Sequence, residues 1–315
     1  MEIVKYITSQ DHVSQNTVDE FEGIIIAKNN VNLYRINNLK RILGKVFIKL
    51  CLKSTFPLPK FFFRRRTLKS LCIMLGDEFH KAVFPFINNE YNNIYFFDAW
   101  PSNHYYIEKF IRMFRVKNVF FSAKQVVEVF EKKNLNCKFH WVPEAINMEN
   151  YTFLPYSEKD IQVLAFGRKF DSLHHLIVKG LKEQNITYLY EKKPGHILFP
   201  AQDDFLKGLS QTKISICIPA NITHPERSEG ISTMTIRYLQ SMSSKCLILG
   251  FLPDDMQELF EHNPIIQLDM NDPLEQIKDI LKNYDDYIPL IERNFEYVKA
   301  YHTWSHRADT IKELL

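Results

Sequence analysis

From about residue 70 onward, short apolar runs alternate with longer amphipathic stretches. "SLCIML", "NIYFFD", "NVFFS" and "CKFHWVP" have the length and composition of buried strands. Between them, "DEFHKAVFPFI", "SNHYYIEKFIRMFR" and "AKQVVEVFEKK" repeat apolar residues at helical spacing. In the last, Val126, Val127 and Phe130 share one side; the second is expected to open on a Ser/Asn cap. Strands alternating with helices predict a parallel sheet covered on both faces.

The polar, irregular stretch "EAINMENYTFLPYSEKD" then breaks the rhythm. It predicts a domain boundary near residues 145–158, dividing 1–150 from 151–315. The alternation restarts beyond it. "IQVLAFG", "ITYLYE", "HILFP", "KISICIPA" and "KCLILG" read as strands. "DSLHHLIVKGLKEQ", "AQDDFLKGLSQT", "STMTIRYLQSMSS", "PDDMQELFEH" and "PLEQIKDILKNYDD" read as helices. The tail "YIPLIERNFEYVKAYHTWSHRADTIKELL" is helical with a break near His302. The expected architecture is α/β: two Rossmann-like βα domains in series. The default ligand site is a cleft facing the carboxyl ends of their strands.

Composition narrows the setting. The 315 residues exceed one ordinary core and fit two domains of about 150 residues each. A content of 45% hydrophobic and 24% charged residues is that of a globular protein. No apolar run approaches the roughly 20 residues that span a bilayer. "MEIVKYITSQDHV" lacks the apolar segment of a signal peptide, so a cytoplasmic chain is expected. Cys72, Cys217 and Cys246 lie in strand-like runs and read as buried, reduced thiols.

The net charge of +3 conceals an asymmetry. Between Gly23 and Gly76 there is no Asp or Glu, while Lys and Arg recur from Lys28 to Lys69. One face of the N-terminal half therefore meets something anionic. Within this stretch, "PLPKFFFRRR" sets Lys60, Arg64, Arg65 and Arg66 beside three Phe. Aromatics that enter a headgroup layer beside cations that meet lipid phosphates are the signature of an anionic membrane surface. A nucleic-acid patch is the rival reading, without a nucleic-acid motif to accompany it. Solvated lysines on an amphipathic helix are the bland one.

Two motifs carry candidate chemistry in the C-terminal half. In "VLAFGRKFDSLHHLI", Gly167 ends a strand where the backbone must turn. Arg168 and Lys169 then sit at the strand's carboxyl end, where Arg can clamp a diphosphate; a solvated basic pair fits equally. His174 and His175 are adjacent and point apart on a helix, so they are not a metal pair. In "HPERSEGISTMTIRYLQSMSSKCLILG", Gly230 permits a turn and Ser232 and Thr233 are expected to start a helix. There, free N–H groups favour an anion, although Ser and Thr are also ordinary caps. Glu229 could accept hydrogen bonds from a sugar or complement the helix dipole. Arg237 and Gln240 share a helix face.

The order strand, Gly-Arg-Lys, helix, strand, helix, strand, Glu-Gly-Ile-Ser-Thr, helix, strand resembles the C-terminal domain of GT-B-type nucleotide-sugar glycosyltransferases. The similarity is to the "glycosyl transferases group 1", family 4-like branch. "NVFFSAKQVVEVFEKKNLNCKFHWVPEAIN" is similar to the end of that family's N-terminal domain, and the resemblance covers about residues 70–315. It implies that Arg168 and Lys169 hold the donor diphosphate. Glu229, Gly230, Ser232 and Thr233 would surround the donor sugar and phosphates. Gln240 would face the nucleotide ribose. It also implies that the last helices, about 290–315, cross back onto the N-terminal domain, where the aromatic-rich tail can dock.

The departures from the family pattern are specific. Many members carry two glutamates separated by seven residues; the positions here are Ser232 and Gln240. Many carry a Lys five residues after the arginine; that position is Leu173. Lys169, His174 or Arg237 must then supply the second cation. In the N-terminal half, "YFFDAWPSN" places Asp98 at a strand end with Trp100 beside it to stack on a sugar. An inverting transferase needs a base for the acceptor hydroxyl, and Asp98, Asp77 and His80 are the candidates. A retaining enzyme needs none, and Asp98 could simply cap a turn or the following helix. The "DD" pairs at 203–204, 254–255 and 285–286 lie in or beside predicted helices, so no DxD metal motif is expected.

The combined expectation is a metal-independent hexosyltransferase, with no cofactor beyond its nucleotide-diphospho-sugar donor. The acceptor is expected to be a glycan or a polyprenyl-diphosphate-linked sugar in surface polysaccharide synthesis. The protein would sit peripherally on the inner face of the membrane and bind no nucleic acid. A catalytically inactive GT-B-like binding protein, and a nucleic-acid-binding α/β protein, are the alternatives.

Overall fold

The structure is a computed structural model that describes residues 4–9, 16–29, 31–53, 66–87, 89–167, 169–192 and 197–315. The chain divides into two compact units. The first comprises Met1–Glu144, Arg227–Ile231 and Trp304–Leu315; the second comprises Ala145–Glu226 and Ser232–Thr303.

The first unit is built on a six-stranded parallel sheet, in the order β2-β1-β3-β4-β5-β6. Its strands are β1 (Val4–Ser9), β2 (Asn32–Ile36), β3 (Arg66–Leu75), β4 (Asn89–Phe97), β5 (Val116–Phe121) and β6 (Lys138–Trp141). Helices α1 (Asn16–Lys28), α2 (Asn38–Lys53), α3 (Val83–Phe86), α4 (Pro101–Phe114) and α5 (Lys124–Glu131) make the crossovers. Asn92 to Phe97 are buried without a break. Successive strand residues point to opposite faces, so both faces of β4 are covered.

Three expectations in this unit need correction. The helix expected over "DEFHKAVFPFI" is a 3-10 turn, Phe79–Lys81, followed by the single turn of α3. Pro85 within α3 lacks the N–H that a longer helix requires. The cap expected at Ser102 is absent: α4 begins at Pro101, whose fixed φ suits a first helical position, and Trp100 stands at the N-cap. Before residue 70, where no regular pattern was expected, β1, α1, β2 and α2 form two further βα units.

The second unit carries a five-stranded parallel sheet, in the order β11-β10-β9-β7-β8. Its strands are β7 (Ile161–Ala165), β8 (Tyr188–Tyr190), β9 (Thr212–Cys217), β10 (Leu247–Gly250) and the unexpected β11 (Ile266–Gln267). Helices α6 (Asp171–Glu183) and α7 (Gln202–Ser210) precede the short turns α8 (Ala220–Thr223) and α9 (Pro225–Ser228). Then follow α10 (Ile236–Ser243), α11 (Met256–Leu259), α12 (Pro273–Lys282) and α13 (Ile288–Tyr301). The core joins Leu173, Ile177 and Leu181 of α6 to Ile214, Ile216, Leu247 and Leu249 of the sheet. The strand expected over 196–200 does not form at the described residues 197–200. The helix expected over 253–262 is only the single turn α11.

The helical break near His302 forms as expected, between α13 and α14 (Trp304–Leu314). In the first unit, the buried Trp304 stacks on Phe21 with ring centroids 4.3 Å apart. Its indole N–H donates to Glu20 Oε2 at 2.7 Å.

Candidate functional site

Three loops of the second unit leave the carboxyl ends of neighbouring strands β7, β9 and β10, and one residue ties two of them. Gly167, after β7, has φ +76°, which costs a glycine little. The Arg237 side chain lies against it: a β-carbon at Gly167 would sit 3.3 Å from Arg237 Cδ. The Arg237 guanidinium donates to the Ile218 carbonyl at 3.0 Å and to the Phe166 carbonyl at 3.4 Å. These are the first residues beyond β9 and β7, so the cation is held where α/β sheets present ligands.

The loop between β9 and α10 corrects the expected helix start. Ser232 and Thr233 precede α10 rather than opening it, because acidic neighbours after β10 capture the segment. Thr233 Oγ1 donates to Asp255 Oδ2 at 2.6 Å, and the Met234 N–H donates to Asp255 Oδ1 at 2.7 Å. Ser232 Oγ accepts from the Asp254 N–H at 3.1 Å. Burial pushes the Asp255 carboxyl up to about 6, against hydrogen bonds from the Thr233 side chain and the Met234 and Met256 backbone that favour its charged form. The N-cap of α10 is instead Thr235, whose buried hydroxyl finds no hydrogen-bond partner among the described residues.

The other candidates of this unit are separately engaged. Gln240 donates to Tyr151 Oη at 3.2 Å, so it and Arg237 serve different partners. Lys169 pairs with Asp171 at 2.9 Å and holds that carboxyl below the usual range. His174 packs against Tyr190, with centroids 4.4 Å apart, and burial lowers its basicity. Arg168 lies outside the described residues, as do Lys60, Arg64 and Arg65; Arg66 opens β3.

Glu229 and Gly230 cluster with the first unit, not with Ser232 and Thr233. Both have left-handed backbone, φ +46° and +90°. In this unit Arg227 lies over the Trp100 ring, 5.0 Å from its centroid, and its Nη2 is 3.6 Å from Asp98 Oδ2. Asp98 itself has φ +49°, rare for a residue with a β-carbon. Its carbonyl presses on Gly76, where a side chain would collide with it. Beside Gly76, a cavity of about 500 Å3 is lined by Lys45, Ile48, Lys49, Leu75, Asp77, Glu78 and His80. Asp77 and His80 therefore share one cavity at the end of β3, and Asp98 directly follows the neighbouring strand β4.

Two participants escaped the sequence reading. Asp255 belongs to a "DD" pair whose pattern places it beside a helix; its place after "CLILG", at a strand end, is the available signal. Arg227 had no signal, since only the fold brings it to Trp100.

No protein-family model matches the sequence, and no curated protein matches it. Solved structures do. HepE of Anabaena, crystallised with UDP and glucose, aligns over 99% of both chains at 8% identity and a TM-score of 0.63. The N-terminal domain of a Candida albicans trehalose-6-phosphate phosphatase aligns over 99% of this chain and 96% of its own, at 9% identity and 0.57. A glycosyltransferase of Rickettsia africae ESF-5 aligns over 98% of this chain and 97% of its own, at 9% identity and 0.54. At such identities the likeness is one of fold: the chain is a GT-B-type α/β protein with two Rossmann-like units.

Proposed function

We propose that this protein is a glycosyltransferase that takes a sugar from a nucleotide-diphospho-sugar. The observation that carries the reading is Arg237, a half-buried cation beside Gly167 at the carboxyl ends of β7 and β9. A guanidinium there meets a diphosphate bidentately and stabilises it as a leaving group, so the transfer needs no metal. Lys169 and Arg168 would add charge, and Thr235 at the start of α10 offers a hydroxyl donor. Ser232 and Thr233 would act by shaping the loop that Asp255 holds, Glu229 and Gly230 by bounding the donor sugar, and Gln240 by facing the ribose. That HepE was crystallised with UDP and glucose supports starting from uridine nucleotides.

The acceptor side is assigned to the domain of residues 1–150 and the donor side to 151–315. Asp98 is the candidate base, beside Arg227, whose guanidinium lies over the buried Trp100 ring and leaves that ring no open face for a sugar. The acceptor is a glycan or a polyprenyl-diphosphate-linked sugar of hexosyl type, met at the inner membrane face in surface polysaccharide synthesis. A second reading, a GT-B-like binder without turnover, is favoured by one observation: the Gln240 amide, at a position where acids are common, is already given to Tyr151.

A thermal-shift series with UDP-, GDP-, TDP- and CMP-sugars tests the reading. One nucleotide class should raise the midpoint by several degrees at saturation. Arg237→Ala should weaken that binding about tenfold or more, as loss of a charged hydrogen-bond donor does, and Asp98→Ala should leave it intact. No response to any nucleotide would refute the function; a response without turnover would select the second reading.

A further inference from the structure

Helix α2 wears its apolar stripe on the outside. Leu39, Ile42, Leu43, Val46 and Leu50 recur at i, i+3, i+4, i+7 and i+11 and so fall on one narrow arc. All five are 49–65% exposed. The side that packs inward is a different one. Ile48 is buried there, and Gly44 comes so close to the 79–81 turn that a β-carbon would sit 2.9 Å from the His80 carbonyl. Lys109 donates to the Leu52 carbonyl and ties down the far end of the helix. A helix of a globular protein normally turns such a stripe to its core. A fixed platform that turns it outward marks a surface to be covered.

Charge identifies the cover. Lys45 and Lys49 flank the arc and are themselves exposed. The helix carries no acid, and none occurs between Gly23 and Gly76. A second copy packed on this face would bring lysine-flanked, acid-free helices together, with like charges opposed. Anionic headgroups around an apolar layer match both features at once. Lys45 and Lys49 also line the cavity that holds Asp77 and His80.

We infer that α2 is a membrane-docking helix: its outward arc enters an anionic lipid surface, and Lys45 and Lys49 hold the adjoining cavity open at headgroup level. The inference rests on the acceptor half of the proposed function and not on its donor half. A substrate reaching that cavity would then be a lipid-anchored phosphate or diphosphate.

Vesicle co-sedimentation tests it, with equal parts phosphatidylcholine and phosphatidylglycerol against phosphatidylcholine alone. The full chain should bind the mixed vesicles and not the neutral ones. Raising salt from about 0.1 to about 0.5 M should release much of it. Val46→Glu combined with Leu50→Glu should bind about tenfold less or weaker, from the lost apolar area alone. Should that variant lose its circular dichroism signature, the milder pair Leu39→Ser and Ile42→Ser decides in its place. Equal binding to both vesicle types, binding unchanged in the folded variant, or no binding at all would overturn the inference. So would a lipid-free dimer by light scattering that the variant abolishes, or duplex binding that takes the place of vesicle binding. The nucleotide-sugar thermal shift, measured on the same samples, separates this failure from failure of the donor reading.

Discussion

Glu22 on α1 is a carboxyl with little access to water, and its environment sets its charge. Burial raises it to about 8, although Lys81 works in the opposite direction; Asp19 and Glu78 add to the rise. Lys81 is itself drawn to Glu78, at 2.6 Å. Its folded value lies above the ordinary one of 4.5, so the folded state holds the proton more tightly. That contribution is complete below about pH 4.5 and disappears as pH rises through about 8. Urea denaturation across this range should show wild type losing up to a few kcal/mol that Glu22→Gln retains, because the amide cannot ionise. An unchanged slope would show that Glu22 is not held neutral. Nothing in "DEFEG" distinguishes this glutamate from the exposed Asp19 or the half-buried Glu20; only the packed surroundings do.

Between elements, Lys159 does comparable work in the second unit. Its buried ammonium donates to the carbonyls of Ser210, Thr212 and Ser244 at 2.9–3.0 Å. Ser210 ends α7 and Ser244 caps α10, so one cation neutralises two helix carboxyl ends. Lys159→Met keeps the volume and leaves buried acceptors without a donor. It should cost about 3 kcal/mol or more in urea denaturation. The elements themselves were legible in proportion to their periodicity. Apolar runs such as "NIYFFD" and "KCLILG" and regular helices such as "DSLHHLIVKGLKEQ" formed where expected. The strand VKYITS and the helix NTVDEFEGIIIAK did not announce themselves, since one mixes in polar residues and the other runs three Ile together against the helical period. The start of α10 lies later than "ISTMT" predicts, because that stretch has helix-opening chemistry of its own. The hydrogen bonds that keep it extended come from Asp254 and Asp255, across a strand. The candidate site was legible as strand-end loops and illegible as contacts, for the same reason.

At the scale of the molecule, the chain crosses repeatedly between its two units. Residues 1–144 belong to the first, the short segment Arg227–Ile231 returns to it, and Trp304–Leu315 returns again. Trp304 is the anchor of the last return, set against Phe21, edge-on to Phe97 and bonded to Glu20. Arg307 adds a bond to the Pro143 carbonyl at 3.0 Å. Trp304→Ala would empty this space and strand the Glu20 contact, costing about 3–5 kcal/mol. Calorimetry should therefore show a lowered thermal midpoint, and Trp304→Phe should recover part of it.

The position of Trp304 also bears on how the protein is made. Synthesis delivers Phe21, Tyr95 and Phe97 early and the ring that covers Phe21 only after every strand of the second unit has left the ribosome. A nascent chain thus carries an unsealed aromatic surface through most of its elongation. Translation that stalls after Trp141 and before Trp304 should yield a product that chaperones retain and proteases clear, even though all six strands of the first sheet have been made.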